Sequence, residues 1–267
     1  VRMMDNVIDN TIYPLPQQEE EAKNKRRMGV GVTGMANCIE AIGHPYGSEG
    51  YLQIMETILV ALRDVAYTAS VSLAVEKGPF PLFDADKYTE SKFVKTLPPP
   101  LQEDIKNHGI RNSHLLSIAP TGTISMAAGN VSSSIEPVFA YSYERDVYRE
   151  DGTQTKDKVE DYGVRVLGVT GKRAVGKDCV TVDEHVNVLN KATQFVDSAV
   201  SKTCNVGSSI TWDEFKEVYM KAWRGGAKGC TTYREGGSKK PLLTSADDPA
   251  MDTGGTCEWI NGVRSCE

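Results

Sequence analysis

Residues 118–125 have the composition of a turn that binds an anion. The segment reads Ile-Ala-Pro-Thr-Gly-Thr-Ile-Ser, follows a short apolar run of strand length, and precedes a short predicted helix. Free N–H groups at a helix start carry a partial positive charge, so a phosphate can bind there without a lysine. Gly122 would let the backbone approach closely, and Thr121, Thr123 and Ser125 would add hydroxyl donors. The alternative is an ordinary strand–helix turn in which Thr121 caps the helix.

Two cysteines near the end of the sequence, Cys257 and Cys266, have a different setting. From residue 235 onward the sequence is rich in Gly, Ser, Lys, Asp and Pro, which predicts a flexible tail. Cysteines in such a tail suit thiol–disulfide exchange with another site better than a structural disulfide. Half of a zinc site and two incidental thiols stay open as alternatives, although zinc would need two further ligands and the tail contains no histidine.

The remaining cysteines and the histidines predict no metal site. Six cysteines in 267 residues are too sparse for a disulfide scaffold. Four of them stand singly in apolar or mixed segments and are expected to be small buried side chains: Cys38, Cys179, Cys204 and Cys230. The four histidines have no spacing typical of metal ligands.

Charge and composition exclude several classes of protein. The formal net charge of −6 argues against non-specific binding to nucleic acid, which relies on a basic surface. With 40% hydrophobic and 25% charged residues, the composition is that of a globular protein. No window approaches about eighteen uninterrupted apolar residues, and the first residues lack the apolar region of a secretory signal. We therefore expect a cytoplasmic protein that binds neither nucleic acid nor membranes directly.

Helices that alternate with short buried strands predict an α/β architecture. Apolar spacing indicates helices at residues 3–12, 19–27, 35–42, 51–76, 186–202 and 211–224. The residues expected at helix starts are Ser48, Thr181 and Thr211. Short apolar or alternating runs indicate strands at residues 27–34, 115–119, 138–148 and 230–233. Residues 79–100 are predicted to be loop-rich, because three consecutive prolines break any helix there, and residues 151–176 are predicted to be an exposed excursion.

Several blocks of the sequence, taken together, resemble the large subunit of ribonucleotide reductases. In the family's order these are residues 4–9, 28–35, 112–115, 119–125, 133–137, 197–205 and 223–234. The resemblance implies a ten-stranded α/β barrel, of which residues 1–235 would supply the second half, with residues 236–267 as a flexible redox-active tail. It implies reduction of ribonucleotides to deoxyribonucleotides for DNA synthesis by radical chemistry.

The resemblance also implies roles for particular residues. The phosphates of a ribonucleoside di- or triphosphate would be bound by a set that comprises Asn112, Ser113, Pro120, Thr121, Gly122, Thr123, Ile124 and Ser125. This agrees with the argument from the helix start. Cys257 and Cys266 would re-reduce an active-site disulfide after each turnover, with thioredoxin or glutaredoxin as the external reductant.

The residues Thr232 and Tyr233 bear on the class within the family. Large subunits that receive their radical from a separate metal subunit usually carry two adjacent tyrosines at this position. The Thr-Tyr-Arg ending and the loop at residues 120–125 are more similar to the class II enzymes, so adenosylcobalamin is the expected cofactor of the complete enzyme. A class I large-subunit fragment and a non-catalytic nucleotide-binding module are the alternatives.

One departure from the family pattern limits the expected activity. The family's radical cysteine lies in an Asn-Pro-Cys-Gly-Glu loop, and one reducing cysteine lies in a Cys-Asn-Leu-Gly-Ser segment; both patterns are absent. Residues 204–208 resemble the second pattern superficially, but they follow the Ser-Lys-Thr block, and their position argues against a match. The family's effector-binding region is absent as well. We expect a fragment or one piece of a split enzyme, inactive alone and partnered by the missing N-terminal half of the barrel.

Overall fold

The computed structural model describes residues 1–149, 151–174, 179–234, 244–245, 257–260 and 263–266, and only the backbone at residues 145, 146 and 148 and from residue 235 onward. The α-helices within these residues are α1 Arg2–Asn10, α2 Pro16–Lys25, α3 Met35–Ala41, α4 Glu49–Lys77, α5 Ala85–Thr89, α6 Pro99–His108, α7 Gly122–Ala127, α8 Val182–Thr193 and α9 Trp212–Arg224. The strands are β1 Ser142–Tyr148, β2 Gln154–Glu160, β3 Thr203–Val206, β4 Thr231–Arg234, β5 Thr244–Ser245, β6 Cys257–Ile260 and β7 Val263–Cys266. A 3₁₀ turn, Val94–Thr96, and a π-helical turn, Gly163–Leu167, complete the set.

Within the described residues, four extended segments lie side by side in parallel and in chain order. Val30 bridges Leu116, and Ile118 bridges Val200. The segment that contains Val200 continues into β3, which pairs in parallel with β4. Helices connect each segment to the next. Parallel neighbours in chain order with helical connections are the arrangement of an α/β barrel, as distinct from a sheet whose strand order reverses.

The first two of these segments make isolated bridges, where the sequence predicted longer strands at residues 27–34 and 115–119. They approach closely because glycine faces the neighbouring backbone: a Cβ added at Gly31 would lie 2.3 Å from Ser117 O. The third segment, which contains Val200, begins at Asp197, whose carboxylate accepts from Leu115 N at 2.7 Å and from Leu116 N at 3.0 Å of the second segment. The Asp197 carboxylate thus takes the place of backbone acceptors in the hydrogen bonding between these two parallel segments.

Helix α4 is the long core element. Ser48 caps it by accepting from Tyr51 N at 3.2 Å, as the sequence predicted. By length and apolar composition alone this helix could cross a membrane. Its side chains at Tyr51, Met55 and Leu59 are instead fully buried in the protein core, and the helix packs against α3, α6 and α8. Helix α4 thus connects α3, α6 and α8 within the core.

The proline-rich segment was predicted incorrectly. Helix α6 begins at Pro99, so residues 98–100 start a helix and do not break one. The first N–H groups of a helix have no partner inside the helix, so proline loses nothing at these positions. Residues 79–100 also contain the short helix α5, which Asp84 caps by accepting from Lys87 N at 3.1 Å.

The segment at residues 151–176 is exposed over most of its described length, as predicted, but it contains regular secondary structure. Strand β2 pairs with β1 in antiparallel register from Ser142 opposite Glu160 to Tyr148 opposite Gln154. Asp161 is buried directly after β2. The helix predicted at residues 186–202 runs from Val182 to Thr193 as α8, and the chain then extends toward β3.

Candidate functional site

The predicted anion-binding turn lies at the carboxyl end of the extended segment 115–118, directly before α7, with Pro120 exposed. Thr121 occupies the N-cap position with a φ of 50°, in the left-handed region, and its side chain makes no capping hydrogen bond. Its hydroxyl lies 2.9 Å from that of Thr33, which follows the segment around Val30. The alternative in which the Thr121 side chain caps the helix is therefore wrong. The turn stands where two parallel segments end, the edge at which ligands bind in α/β folds.

The start of α7 has unused hydrogen-bond donors on an exposed surface. The first N–H of this helix that meets a carbonyl is that of Ser125, which donates to Thr121 O at 2.8 Å. Among the described residues, no group accepts from the N–H of Gly122, Thr123 or Ile124, and all three residues are exposed. A Cβ added at Gly122 would have no neighbour within 4 Å. An anion therefore has room to reach these N–H groups.

Ser125 differs from its neighbours because it is buried. Its hydroxyl donates to Gly122 O at 2.8 Å and lies 3.0 Å from the hydroxyl of Ser133. Both contacts are made inside the protein, so the Ser125 side chain closes the turn on itself and joins it to the following loop.

The loop at residues 130–134 supports the turn through the beginning of α3. Asn37 accepts from Ser132 N at 2.6 Å, and its own N–H donates to the Ser132 hydroxyl at 3.2 Å. Thr33 accepts from Ser134 N at 3.2 Å. Sequence reasoning missed Thr33 and Asn37 as parts of this site. Thr33 lies within a block that resembles the family, whereas nothing local in the sequence distinguishes Asn37.

Asn112 lies elsewhere and is fully buried. Its amide nitrogen donates to Asp5 Oδ1 at 3.0 Å and to Arg26 O at 3.1 Å, and its carbonyl oxygen accepts from the Ser70 hydroxyl at 2.9 Å. Arg26 donates to the same Asp5 carboxylate at 2.8 Å. Burial opposes ionisation of Asp5, but the hydrogen bonds from Arg26 and Asn112 outweigh it and lower the pKa of this carboxyl. The Asn112 side chain thus belongs to a buried ionic cluster.

Ser113 also lies away from the turn. Its hydroxyl is 3.2 Å from His114 Nδ1, and its carbonyl accepts from the Tyr88 hydroxyl at 3.0 Å. The extended residues 114–119 separate it from Thr121, and an extended run of this length spans roughly 20 Å. The structure therefore does not bring Asn112 and Ser113 together with residues 120–125.

A second buried polar cluster joins two blocks that resemble the family, residues 133–137 and 197–205, to His185 of α8. The Lys202 ammonium is fully buried and donates to Glu136 Oε2 at 2.6 Å and to His185 Nδ1 at 2.9 Å. The other Glu136 oxygen accepts from Thr203 N at 2.6 Å. Burial and the Lys202 charge lower the pKa of His185 to about 2, so its ring is neutral and accepts from lysine. This cluster ties the loop that follows the turn to α8 and β3.

A cavity of about 500 Å³ lies beside α3, lined by Glu40, Gly43, Pro45, Tyr141, Val169, Thr170, Gly171, Lys172 and Arg173. The Glu40 carboxylate accepts from Tyr46 N at 3.2 Å and from Lys172 N at 3.1 Å. Burial raises the pKa of Glu40 to about 7, although these two N–H groups act in the opposite direction. Glu40 lies one helical turn beyond Asn37, so one helix supports both the turn and the cavity.

The cysteines expected to be buried singly have different environments. Cys204 is buried, but Cys38 and Cys179 are exposed, so the expectation of burial is wrong for these two. Cys230 is half-buried, and its Sγ lies 3.8 Å from Sγ of Cys204. Nothing in the sequence indicated that these two thiols lie close together. It depends on the parallel register of β3 and β4.

The tail cysteines occupy opposite positions in a hairpin. Strands β6 and β7 pair in antiparallel register with Cys257 opposite Cys266. Their side chains, and most of the tail predicted to be flexible, lie outside the described residues. In the part of the chain whose side chains are described, no group of three or more His, Cys, Asp or Glu could hold a metal ion.

Comparison with known proteins places these features in a family. The family "Ribonucleotide reductase, barrel domain" matches residues 1–170 and 176–233. A vitamin B12-dependent ribonucleoside-diphosphate reductase from Mycobacterium tuberculosis is 31% identical over 100% of this chain and 40% of its own length. One from Thermoplasma acidophilum is 33% identical over 91% of this chain and 33% of its own length.

More distant relatives include the ribonucleoside-diphosphate reductase subunit alpha of Treponema pallidum, which is 24% identical over 85% of this chain and 27% of its own length. The chain therefore spans well under half of the length of the curated relatives that it matches. The activity of these longer proteins as a whole therefore depends also on residues outside the aligned part.

Proposed function

Because the chain belongs to the ribonucleotide reductase family, through its barrel domain, we propose that it is the phosphate-binding part of a vitamin B12-dependent ribonucleotide reductase. The reaction would replace the 2′-hydroxyl of a ribonucleotide by hydrogen, oxidise two cysteine thiols to a disulfide and release water. The observation that carries this proposal is the exposed start of α7, where the N–H groups of residues 122–124 have no partner among the described residues.

The phosphates of a ribonucleoside di- or triphosphate would bind these N–H groups. Thr123 adds an exposed hydroxyl, and Gly122 keeps the approach open. Pro120 and Thr121 set the direction of the turn, and the buried Ser125 braces it. A cradle of this kind suits a protein of net charge −6, because helix-start donors bind an anion without a basic side chain.

Asn112 and Ser113 have a supporting role in this proposal. The Asn112 side chain uses its donors and its acceptor on Asp5, Arg26 and Ser70. It thereby fixes the start of the extended segment whose other end carries the turn. The substrate-binding set then narrows to residues 120–125.

Adenosylcobalamin would be the cofactor of the complete enzyme, because the relatives with the highest identity given above are vitamin B12-dependent. When bound, it supplies the radical that starts the reaction. The cofactor would bring its own metal and would need no metal site from this chain, and no group of three or more His, Cys, Asp or Glu forms one among the described residues. The part of this chain is to hold the nucleotide phosphates at a fixed turn.

The four parallel segments would form part of a ten-stranded barrel, with residues 1–235 contributing one half and the other half coming from regions that correspond to the unaligned parts of the relatives. Those regions would bring the radical cysteine, so the chain alone would not reduce ribonucleotides. We place the enzyme in the cytoplasm, without direct contact to nucleic acid or membranes.

Residues 236–267 would act as the reducing tail. Cys257 and Cys266 lie opposite each other in the β6–β7 hairpin, which is the backbone arrangement of a pair that can alternate between dithiol and disulfide. The tail would reduce the active-site disulfide by thiol–disulfide exchange and would itself be reduced by thioredoxin or glutaredoxin.

A Gly122→Ala substitution tests the phosphate site. The added methyl group meets no protein atom within 4 Å, so the fold should be kept, but it would occupy the open approach to the N–H groups. Isothermal titration with a ribonucleoside diphosphate should show affinity lower by about tenfold, equivalent to about 1.4 kcal/mol. Gly229→Ala is the matched control, because its Cβ also meets nothing within 4 Å. Equal affinity in all three proteins, or no binding by the unmodified chain, would contradict the site.

Restored chemistry tests the reductase assignment. Ribonucleotide reduction should be absent with the chain alone. It should appear when a polypeptide with the remaining regions of the relatives and adenosylcobalamin are added. Nucleotide binding without restored reduction would instead support a non-catalytic binding module.

A further inference from the structure

Cys204 and Cys230 form the closest contact between thiols in the described part of the chain. Their Sγ atoms are 3.8 Å apart, which is van der Waals contact between two reduced sulfurs. Cys38 and Cys179 are exposed and contact no other described cysteine. The Cys204–Cys230 pair is therefore set apart by geometry from the other described thiols.

The parallel register of two strands creates this contact. Cys204 is the second residue of β3 and lies opposite Thr232 of β4, while Cys230 immediately precedes β4. The register offsets the two cysteines by two residues, so they face each other diagonally across the strands. The Cα atoms of such a diagonal pair are about 7–8 Å apart, slightly more than a disulfide usually spans. Closing the sulfur gap to a disulfide bond of about 2 Å therefore requires side-chain rotation and a backbone shift that brings the start of β4 closer to β3.

The two cysteines differ in exposure, and this difference determines which sulfur an external reagent reaches first. Cys204 is fully buried, whereas Cys230 is half-buried and open to a small reagent. Hydrogen bonding from Cys204 and the charge of Lys202 lower the pKa of Cys230. Hydrogen bonding to Cys230 and burial raise the pKa of Cys204. The thiolate therefore forms on Cys230, and the thiolate is the nucleophile in thiol chemistry.

We propose that Cys204 and Cys230 are a redox-active pair that a peroxide converts into a disulfide between β3 and the start of β4. Neither the tail assignment nor phosphate binding is needed for this pair to react. We thus assign both cysteines to a modification site, where the sequence predicted only small buried side chains.

The reaction balances with hydrogen peroxide as the oxidant. The Cys230 thiolate attacks one peroxide oxygen, the O–O bond breaks, hydroxide leaves, and Cys230 becomes a sulfenic acid. Cys204 sulfur then attacks Cys230 sulfur, and the S–O bond breaks as the S–S bond forms. The Cys204 proton and the hydroxide from the sulfenic acid form one water, and the proton lost when Cys230 ionised converts the hydroxide from the peroxide into the other. Two thiols and one peroxide thus give one disulfide and two waters, and two electrons pass from sulfur to oxygen.

Peptide mapping of the full chain tests the proposal. After treatment with stoichiometric hydrogen peroxide and alkylation of free thiols, trypsin should release residues 203–216 linked to residues 229–234, with the mass lower by two hydrogen atoms. Dithiothreitol should separate the peptides. Cys38 and Cys179 should be recovered alkylated, and Cys230 should lose its alkylatable thiol several-fold faster than either of them.

Two variants separate the pair from general oxidation. In Cys204→Ser, Cys230 should stop at the sulfenic acid or go on to the sulfinic acid, and the linked peptide should vanish. Cys230→Ser changes the more exposed partner, so folding is less affected, and Cys204 should stay reduced. Cys38→Ser is the control and should leave the linked peptide unchanged. Linkage of Cys230 to Cys257 or Cys266, or equal oxidation rates at Cys230, Cys38 and Cys179, would overturn the proposal.

Discussion

The start of α7 and the cluster around Asn112 both come from sequence blocks that resemble the family, but they use their hydrogen-bonding groups in opposite ways. At α7 the N–H groups of residues 122–124 are exposed and have no partner among the described residues. Around Asn112 every polar group of the side chain is bonded inside the protein. Among the residues expected to bind substrate, some are therefore open to a ligand, and others hold the backbone of the site in place.

The difference has an energetic reason. Donors at an exposed helix start are solvated by water, so leaving them without a protein partner costs little and lets an anion replace the water. A carboxylate such as Asp5, which is fully buried, must be compensated by charge and hydrogen bonds. We therefore expect changes in the closed cluster to reduce stability and changes at the open turn to reduce ligand affinity.

The largest expected effect is in the closed cluster. Asp5→Ala would leave the Arg26 guanidinium, which is 4% exposed, without its buried partner. Breaking a buried ion pair on one side costs about 3–5 kcal/mol. Urea denaturation should show this loss in the free energy of unfolding. Glu76→Ala is the control, because the Arg2–Glu76 pair at 2.7 Å is exposed and should contribute little. Similar losses in both variants would show that burial does not set the difference.

The next effect is a pH dependence at Glu40, whose helix α3 supports the open turn. Burial raises its pKa from 4.5 to about 7, so between these values folded Glu40 keeps a proton that the unfolded chain releases. Stability must then fall as pH rises through this window and level off above it. The fall is up to about 3 kcal/mol, because one pKa unit corresponds to about 1.4 kcal/mol.

Glu40→Gln should remove this dependence, since the amide oxygen can still accept from Tyr46 N and Lys172 N and carries no charge at any pH. Unfolding midpoints at pH 5 and pH 8 would be compared for the two proteins. The unmodified chain should lose more stability at pH 8 than the variant does. An equal change in both would assign the pH dependence to other groups.

Local signals in the sequence predicted the starts of three helices correctly. Thr181 with Glu184 and Thr211 with Glu214 form the capping boxes at the starts of α8 and α9, and Ser48 caps α4. A cap involves residues within one turn, so its partners can be read directly from the sequence. The exposed turn before α7 was predicted for the same reason, since a strand, a glycine and a helix start follow one another.

Long-range contacts could not be predicted in this way. The pairing of β3 with β4, the contact of Thr33 with Thr121 and the proximity of Cys204 to Cys230 all join residues that are distant in sequence. Register and strand neighbours determine such contacts, and a single sequence carries no direct signal for either. The burial of Asn112 was missed for the same reason, because its partners Asp5, Arg26 and Ser70 are contributed by separate helices and loops.

The smallest expected effects are those that distinguish ligand-facing from structural residues within the turn at residues 120–125. Ser125→Ala removes a buried hydroxyl that joins Gly122 O to Ser133, so unfolding free energy should fall by about 1 kcal/mol. Thr123→Val replaces an exposed hydroxyl by a methyl group of similar shape, so stability should stay unchanged while affinity for a ribonucleoside diphosphate falls a few-fold. Chemical denaturation and titration calorimetry on both variants would measure the two quantities. A loss of stability in Thr123→Val but not in Ser125→Ala would contradict the assignment of Thr123 as a ligand-facing residue and of Ser125 as a structural one.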